Sequence, residues 1–306
     1  AYPGGPTIDM RAEVGLLTSN VLITVPDGPV QHMLGTGEMF GARVVVSGNS
    51  TGRFSSVALH YCGQAGNTDR ACIFFDRLAA VRPAPAANAS GNATVESMAL
   101  MANPSTLESS AMLYGMASNI RVGGPAASSV SIVNNVMLEA YDASSIDIST
   151  TGNTIRGNLV LGTIKDMSGK SGHDVLQPGT FDIGTSDNWI EDNVAAGSER
   201  YGFIYYGVPC NPDYATGSFR NNTAHASLAG MWLQAGEDAA SSGCTALSNF
   251  TAYMNWDFGI ISTRGLPTNL VMTNVNILDT KHSGITVLRL GGFTEKATLD
   301  WRGGLL

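Results

Sequence analysis

Residues 188–206 read NWIEDNVAAGSERYGFIYY. Apolar and aromatic side chains suit β-strands here, yet Asn193 and Gly202 interrupt them, and both residue types are depleted inside strands. The same interruption recurs along the chain. An asparagine precedes a short apolar run in NNVMLEA (Asn135), GNLVLGT (Asn158), DNVAAGS (Asn193), NNTAHAS (Asn222), SNFTAYM (Asn249) and TNVNILD (Asn274), at intervals of roughly 23–35 residues. A second signal keeps phase with it: a glycine opens the apolar part of YGFIYY (Gly202), AGMWLQ (Gly230), FGIIST (Gly259) and SGITVL (Gly284).

One such unit cannot bury its own inward face, whereas stacked units share a continuous core. The spacing therefore predicts an all-β chain folded as a right-handed, single-stranded parallel β-helix with loop insertions; parallel crossovers are right-handed in nearly all sheets. Asparagine tolerates the left-handed turn conformation, and amides at equivalent positions can stack in a ladder. Glycine permits the corner where the chain changes sheets. On this reading Asn193 and Gly202 are corners with strands between them. No stretch carries a helical period of useful length, so helices are expected to be marginal.

Composition agrees with a solenoid that grows by extension. The 306 residues are read as a single parallel β-helix domain over 1–306. Charged residues are 14% of the chain, against about 25% in an ordinary globular protein. A net charge of −8 disfavours nucleic acid or an anionic membrane as partner. No cofactor is expected. The opening AYPGGPTIDM lacks an initiator methionine and reads as a piece of something longer. Residues 79–110, rich in Ala, Pro, Asn and Ser, break the period and read as a surface insertion, as does KDMSGKSGHDVLQPG from Lys165.

Four cysteines, Cys62, Cys72, Cys210 and Cys244, have no metal-ligand spacing and allow three disulfide pairings. Cys62 with Cys72 and Cys210 with Cys244 would each tie neighbouring segments; buried thiols are the alternative. Candidate N-glycosylation sites stand at Asn49, Asn88, Asn92, Asn221 and Asn249. Cysteines and sequons together point outside the cell.

Catalytic signatures are sparse. WDFG at Trp256–Gly259 has no phosphate loop or catalytic-loop motif beside it, so it is read as a corner. His32, His60, His173, His225 and His282 are too scattered for a metal pair, and no metal site is expected. Cleavage of a polysaccharide needs two carboxylates, or a carboxylate and a His or Arg, shown from adjacent rungs of one sheet. Asp182, Glu199 beside Arg200, and Asp257 are the candidates for such a row, with a stacked polar corner as the plainer reading. Arg200, Arg220 and Arg264 could form a local basic groove.

RAEVGLLTSNVLI, GNTIRGNLVLGT, NVAAGSERYGFIYYGVPC, NNTAHASLAGMWL and GCTALSNFTAYMNWDFGI, in this order, resemble the β-helix region of the fibrocystin-L and fibrocystin family. More distantly they resemble the cell-surface hyaluronidases that share the module. The resemblance implies a noncatalytic module of a large extracellular surface glycoprotein, serving adhesion, assembly or ligand binding, with extracellular proteins or glycans as partners. It also implies a location at the cell surface, ciliary membrane included, with membrane attachment only through other parts of the parent chain. The alternative is a hyaluronidase-like, carbohydrate-active hydrolase or lyase. The hydrolytic relatives carry a histidine-containing stretch near the segment matching CGQAGNTDRACIFFDRL, where this chain has Phe74, Phe75 and Asp76.

Overall fold

The computed structural model describes residues 13–25, 30–31, 39–48, 50–65, 69–78, 104–124, 129–141, 144–164, 179–208, 210, 217–234, 245–262, 269–287 and 298–306. Among these there is no helix, and nearly all strands pair in parallel. They form three ladders. The first is a nine-stranded sheet: Val44–Ser47, Ile73–Asp76, Ile120–Gly123, Ile146–Ile148, Gly179–Ile183, Tyr201–Tyr205, Ala229–Leu233, Phe258–Ser262 and Ser283–Val287. The second and third are joined in one larger sheet. In the second, Arg53–Ser55, Ser105–Glu108, Val130–Val133, Thr154–Arg156, Trp189–Glu191, Ser218–Arg220 and Thr245–Ser248 stack in turn. In the third, Val57–His60, Ala111–Gly115, Val136–Tyr141, Leu159–Ile164, Val194–Ala196, Thr223–His225 and Thr251–Tyr253 do the same. The longer strands Asn269–Leu278 and Thr298–Leu305 continue both.

One strand from each ladder, taken in chain order, makes a rung, and pairing links each rung to the next in a pattern consistent with a parallel β-helix. Numbering from Val44, the opening quotation supplies the second- and third-ladder strands of the fifth rung and the first-ladder strand of the sixth. Alternation decides which side chains go inside. Ile146, Ile148, Phe181, Ile183, Phe203 and Tyr205 are fully buried, and Phe181 stacks on Phe203 with centroids 4.7 Å apart. Phe219 and Phe250 close on Phe203 edge-to-face, at 5.5 and 5.9 Å.

The asparagine repeat resolves into two columns. Asn135, Asn158, Asn193 and Asn222 are buried, and each hands its side-chain oxygen to the rung before. Asn135 Nδ2 donates to Asn158 Oδ1 (2.9 Å), Asn158 Nδ2 to Asn193 Oδ1 (3.0 Å), and Asn193 Nδ2 to Asn222 Oδ1 (3.0 Å). Each amide also donates to a carbonyl of an earlier rung, as Asn193 Nδ2 does to Ile155 O at 2.8 Å. The column ends there. Thr223 pairs with Thr251 and Thr251 with Asn276, so Phe250 and Val275 occupy the next two places. Asn249 and Asn274 are therefore one residue out of the predicted phase. They belong to an exposed left-handed column with Asn134, Asp192 and Asn221, all with φ between 50° and 57°. The slip follows from the core, which takes Phe250 beside Phe203 and Phe219 in place of another amide.

The glycine repeat keeps register, since Gly202, Gly230, Gly259 and Gly284 follow from the pairings of their strands. Their role differs from the expectation: none has a positive φ, and all lie inside first-ladder strands. A Cβ on Gly230 would stand 2.6 Å from the Gly259 carbonyl oxygen and 2.9 Å from the Ala252 methyl. Close approach of ladders, rather than a corner, demands glycine there.

Within 79–110, Ser105–Glu108 forms a rung strand, followed by the corner Ser109–Ser110; residues 79–103 lie outside the described residues. Ahead of the first rung, Val21–Ile23 pairs with Val57–Leu59. Residues 13–19 then run across the rungs as a strap. Ser19 Oγ donates to Ser56 O, the Gly15 backbone packs on Val136 of the third rung, and Glu13 Oε2 lies 3.3 Å from His225 Nε2 of the sixth. Val14 and Leu16 face outward, 95% and 76% exposed.

Candidate functional site

The carboxylates singled out in the sequence do not share one column. Asp182 lies within a first-ladder strand, and the register carries its position through Ile204 and Trp232 to Ile261. Asp257 sits four residues before Ile261, in the turn between ladders. Its Oδ1 is 3.3 Å from His282 Nε2. Glu199 occupies the corresponding turn two rungs earlier.

What stands beside Asp182 is a residue that sequence reasoning passed over. Asp147 is its direct partner on the neighbouring strand, and Arg121 is the partner of Asp147. Neighbouring strands lie about 4.8 Å apart, so the two carboxyls are side by side on the outer face of the first ladder. Arg121 Nη1 is 3.3 Å from Asp147 Oδ2, and its Nη2 is 3.3 Å from Asp69 Oδ1. The same guanidinium lies over the Phe74 ring at 5.7 Å, and Arg43 lies over that ring at 5.9 Å. Ser144 Oγ donates to Asp182 Oδ2 at 3.4 Å.

This crowding sets the protonation. Burial, and then the Asp147 charge, push the Asp182 carboxyl up to about 7, against weaker downward pulls from Ser144 and Arg121. Burial raises Asp147 as well, opposed by Arg121. At neutral pH the pair holds a proton that isolated carboxyls would have lost. Such a dyad can give or take a proton at neutrality. Its signal in the sequence is the repeated apolar–Asp–Ile alternation at 146–148 and 181–183, which becomes a pair only once the register is known.

The other candidates are placed as follows. Cys62 and Cys72 form a disulfide, and both are fully buried. Cys210 is disulfide-bonded too, while Cys244 lies outside the described residues. Asn221 and Asn249 are exposed corner residues stacked on each other, with Asn249 Nδ2 donating to Asn221 Oδ1 at 2.9 Å. Asn49, Asn88 and Asn92 lie outside the described residues, as do Arg264, His32 and His173. Arg220 is engaged by Glu191 through two bonds of 2.9 Å. Burial pushes the Glu191 carboxyl up, but hydrogen bonds from Ser218 and Arg220 outweigh it and hold the group below its ordinary value.

No protein-family model matches the chain. It is 27% identical to fibrocystin-L of Mus musculus over 273 residues, which cover 82% of this chain and 6% of that protein. Fibrocystin-L of Homo sapiens is 26% identical over 280 residues, 84% of the chain and 6% of the relative. Fibrocystin of Mus musculus is 30% identical over 119 residues, 37% of the chain and 3% of the relative. The chain thus spans a small part of the length of these relatives. With its parallel ladders, the chain is similar to fibrocystin-L along most of its own length and to fibrocystin over a shorter stretch.

Proposed function

We propose that the three ladders close into a right-handed single-stranded β-helix and that this solenoid is a noncatalytic, extracellular module of a fibrocystin-like surface glycoprotein. It presents an elongated face to extracellular proteins or glycans, in adhesion, assembly or ligand capture. The observation that carries this reading is the similarity to fibrocystin-L over more than four-fifths of the chain. The buried Cys62–Cys72 disulfide supports an oxidising compartment. Solenoids are suited to such work because each added rung extends the surface without enlarging the core. Whether that surface faces a ciliary membrane or another cell projection belongs to the same proposal.

A second reading has one specific observation behind it, the Asp147–Asp182 pair, in which the Asp182 carboxyl is pushed up to about 7. A retaining glycoside hydrolase places its two carboxyls about 5–5.5 Å apart, close to the spacing of neighbouring strands. One experiment separates the readings. The protein is incubated with hyaluronan, pectin and neutral polysaccharides, and products are analysed by mass spectrometry beside the Asp182→Asn variant. Unchanged polymers are expected. Fragments that vanish in the variant would overturn the noncatalytic reading and make the dyad an acid–base pair.

A further inference from the structure

The outer face of the second ladder carries two columns of side chains. Leu107, Ile132, Ile155, Ile190 and Phe219 point inward and are buried, so the residues on either side of each point out. In one outward column the register stacks Thr106, Ser131, Thr154, Trp189 and Ser218 on rungs two to six. In the other it stacks Glu108, Val133, Arg156, Glu191 and Arg220. Trp189 breaks a run of hydroxyl residues. Its indole is 40% exposed and makes neither a ring contact nor a hydrogen bond with the described residues. Thr154 and Ser218, its neighbours along the axis, are too small to shield it.

The polar groups around the indole divide into committed and uncommitted. Arg220 holds both oxygens of Glu191 at 2.9 Å, and Ser218 Oγ donates to Glu191 Oε1. Arg156, on the opposite side of Glu191, is exposed and makes no side-chain hydrogen bond or ion pair with the described residues. The hydroxyls of Thr106, Ser131 and Thr154 are free in the same sense. The backbone beneath is held firmly. Asn153 N and Nδ2 both donate to Asn188 Oδ1 at 2.9 Å, and Trp189 N–H donates to Asn153 O at 2.9 Å. The buried pair Asn158 and Asn193 fixes the far ends of the same two strands, so Thr154 and Trp189 stand on a pre-organised surface.

We infer that this face binds an extended, uncharged glycan laid along the solenoid axis, with one sugar ring on Trp189 and the next rings over Thr154, Ser131 and Thr106. The inference rests on the ligand-presenting reading above and gives it a site and a ligand class. Rungs repeat at about 4.8 Å, and an extended chain of pyranose rings advances by a similar length per ring, so successive rings meet successive hydroxyls in phase. Each ring brings an apolar C–H face, which suits the indole, and hydroxyls that accept from Arg156 and donate to Glu108. Charge selects among sugars. An acidic chain would meet Glu108, Asp192 and a net charge of −8, with Arg156 alone to offset them. A peptide fits less well, because peptides join sheets through main-chain bonds at an open edge, and each second-ladder strand from rung two to rung six is paired on both sides.

The test is titration calorimetry with the whole chain against β-1,4-linked glucose, mannose and N-acetylglucosamine oligomers of one to six rings. A hyaluronan hexasaccharide and an extended polar peptide serve as controls. At least one neutral series should bind, with affinity rising ring by ring up to four and then levelling. Trp189→Ala should weaken the four-ring ligand by about tenfold with an unchanged melting temperature. Arg156→Ala should weaken it several fold. Ser131→Arg, which blocks the track while keeping Trp189, should reduce the four-ring ligand to the affinity of the two-ring one, so the result does not depend on one variant folding. Failure of every neutral series to bind overturns the inference, and affinity independent of length overturns the axial arrangement. Neutral glycans held equally by the parent, Trp189→Ala and Ser131→Arg overturn this site but leave the ligand-presenting reading intact. Tighter binding of hyaluronan or the peptide, lost in both variants, overturns the ligand class.

Discussion

Every rung from the second to the seventh turns twice beside the third ladder, and the two turns are built differently. From the second ladder into the third, the chain uses two residues each time, a left-handed residue and then a buried one, as in Asn134–Asn135, Asp192–Asn193 and Asn221–Asn222. From the third ladder onward the connection has three, four or more residues and no fixed composition. From the third rung to the sixth the first turn is bound to its neighbours through the Asn135–Asn222 amides, so a change at Asn158 or Asn193 is felt by three rungs. The second has lost that constraint, and it is where Glu199, Trp256, Asp257 and Lys281 stand. In this solenoid, regularity marks what holds the rungs and irregularity marks what they display.

That contrast can be broken at its strongest point first. Asn193→Ala removes a buried acceptor of two bonds from Asn158 and a donor to Ile155 and Asn222. We expect a loss of about 3 kcal/mol in urea unfolding, because several buried groups are left without partners. A loss under about 1 kcal/mol would mean the amide column is ornamental. Gly230→Ala should cost roughly 2 kcal/mol by overpacking against Gly259 O and Ala252, where an ordinary strand glycine would tolerate alanine.

The dyad gives a smaller effect with a definite sign. Asp182 has its folded value raised from 3.8 to about 7, so its contribution to stability is fully present below pH 4 and is lost as the pH rises through 7. Asp182→Asn should flatten the melting profile between pH 4 and 7 and stabilise the protein at pH 8 by about 1–2 kcal/mol, the partly exposed site reducing the full linkage value. Parallel profiles for parent and variant would refute the raised value. Smallest of all, Asn249→Gly should change stability by less than about 0.5 kcal/mol, since the exposed left-handed corner suits glycine. Asn193 and Asn249 sit one residue apart in phase, and comparing their variants measures what that phase is worth.

The asparagine and glycine periods were legible in the sequence because a solenoid repeats its local demands at every rung. The strands around Asn158, Asn193 and Asn222 lie where the repeats place them. The slip at Asn249 was hidden, since SNFTAYM aligns with NNTAHAS by its asparagine, and only the demand of Phe203 and Phe219 for an aromatic neighbour shifts it. The glycine column was found with the wrong cause, because a sequence does not reveal how closely two ladders approach. Asp147 was missed for a related reason: it comes 35 residues before Asp182, and pairing across a rung depends on the register of everything between.

The strap at residues 13–19 changes how the solenoid carries load. Stacked rungs are springs in series, each bound to its neighbours, and a pull at one end would peel them singly. Glu13 lies against His225 of the sixth rung while Val21–Ile23 is paired with the first, so one stretch of chain bridges five rung spacings. Tension arriving before Glu13 is divided between both anchor points, and the rungs beneath are held in parallel with the strap. In a single-molecule pulling record, release of the strap would come first, as a short step of a few nanometres at most. Rung-by-rung extension would follow only after that catch had opened.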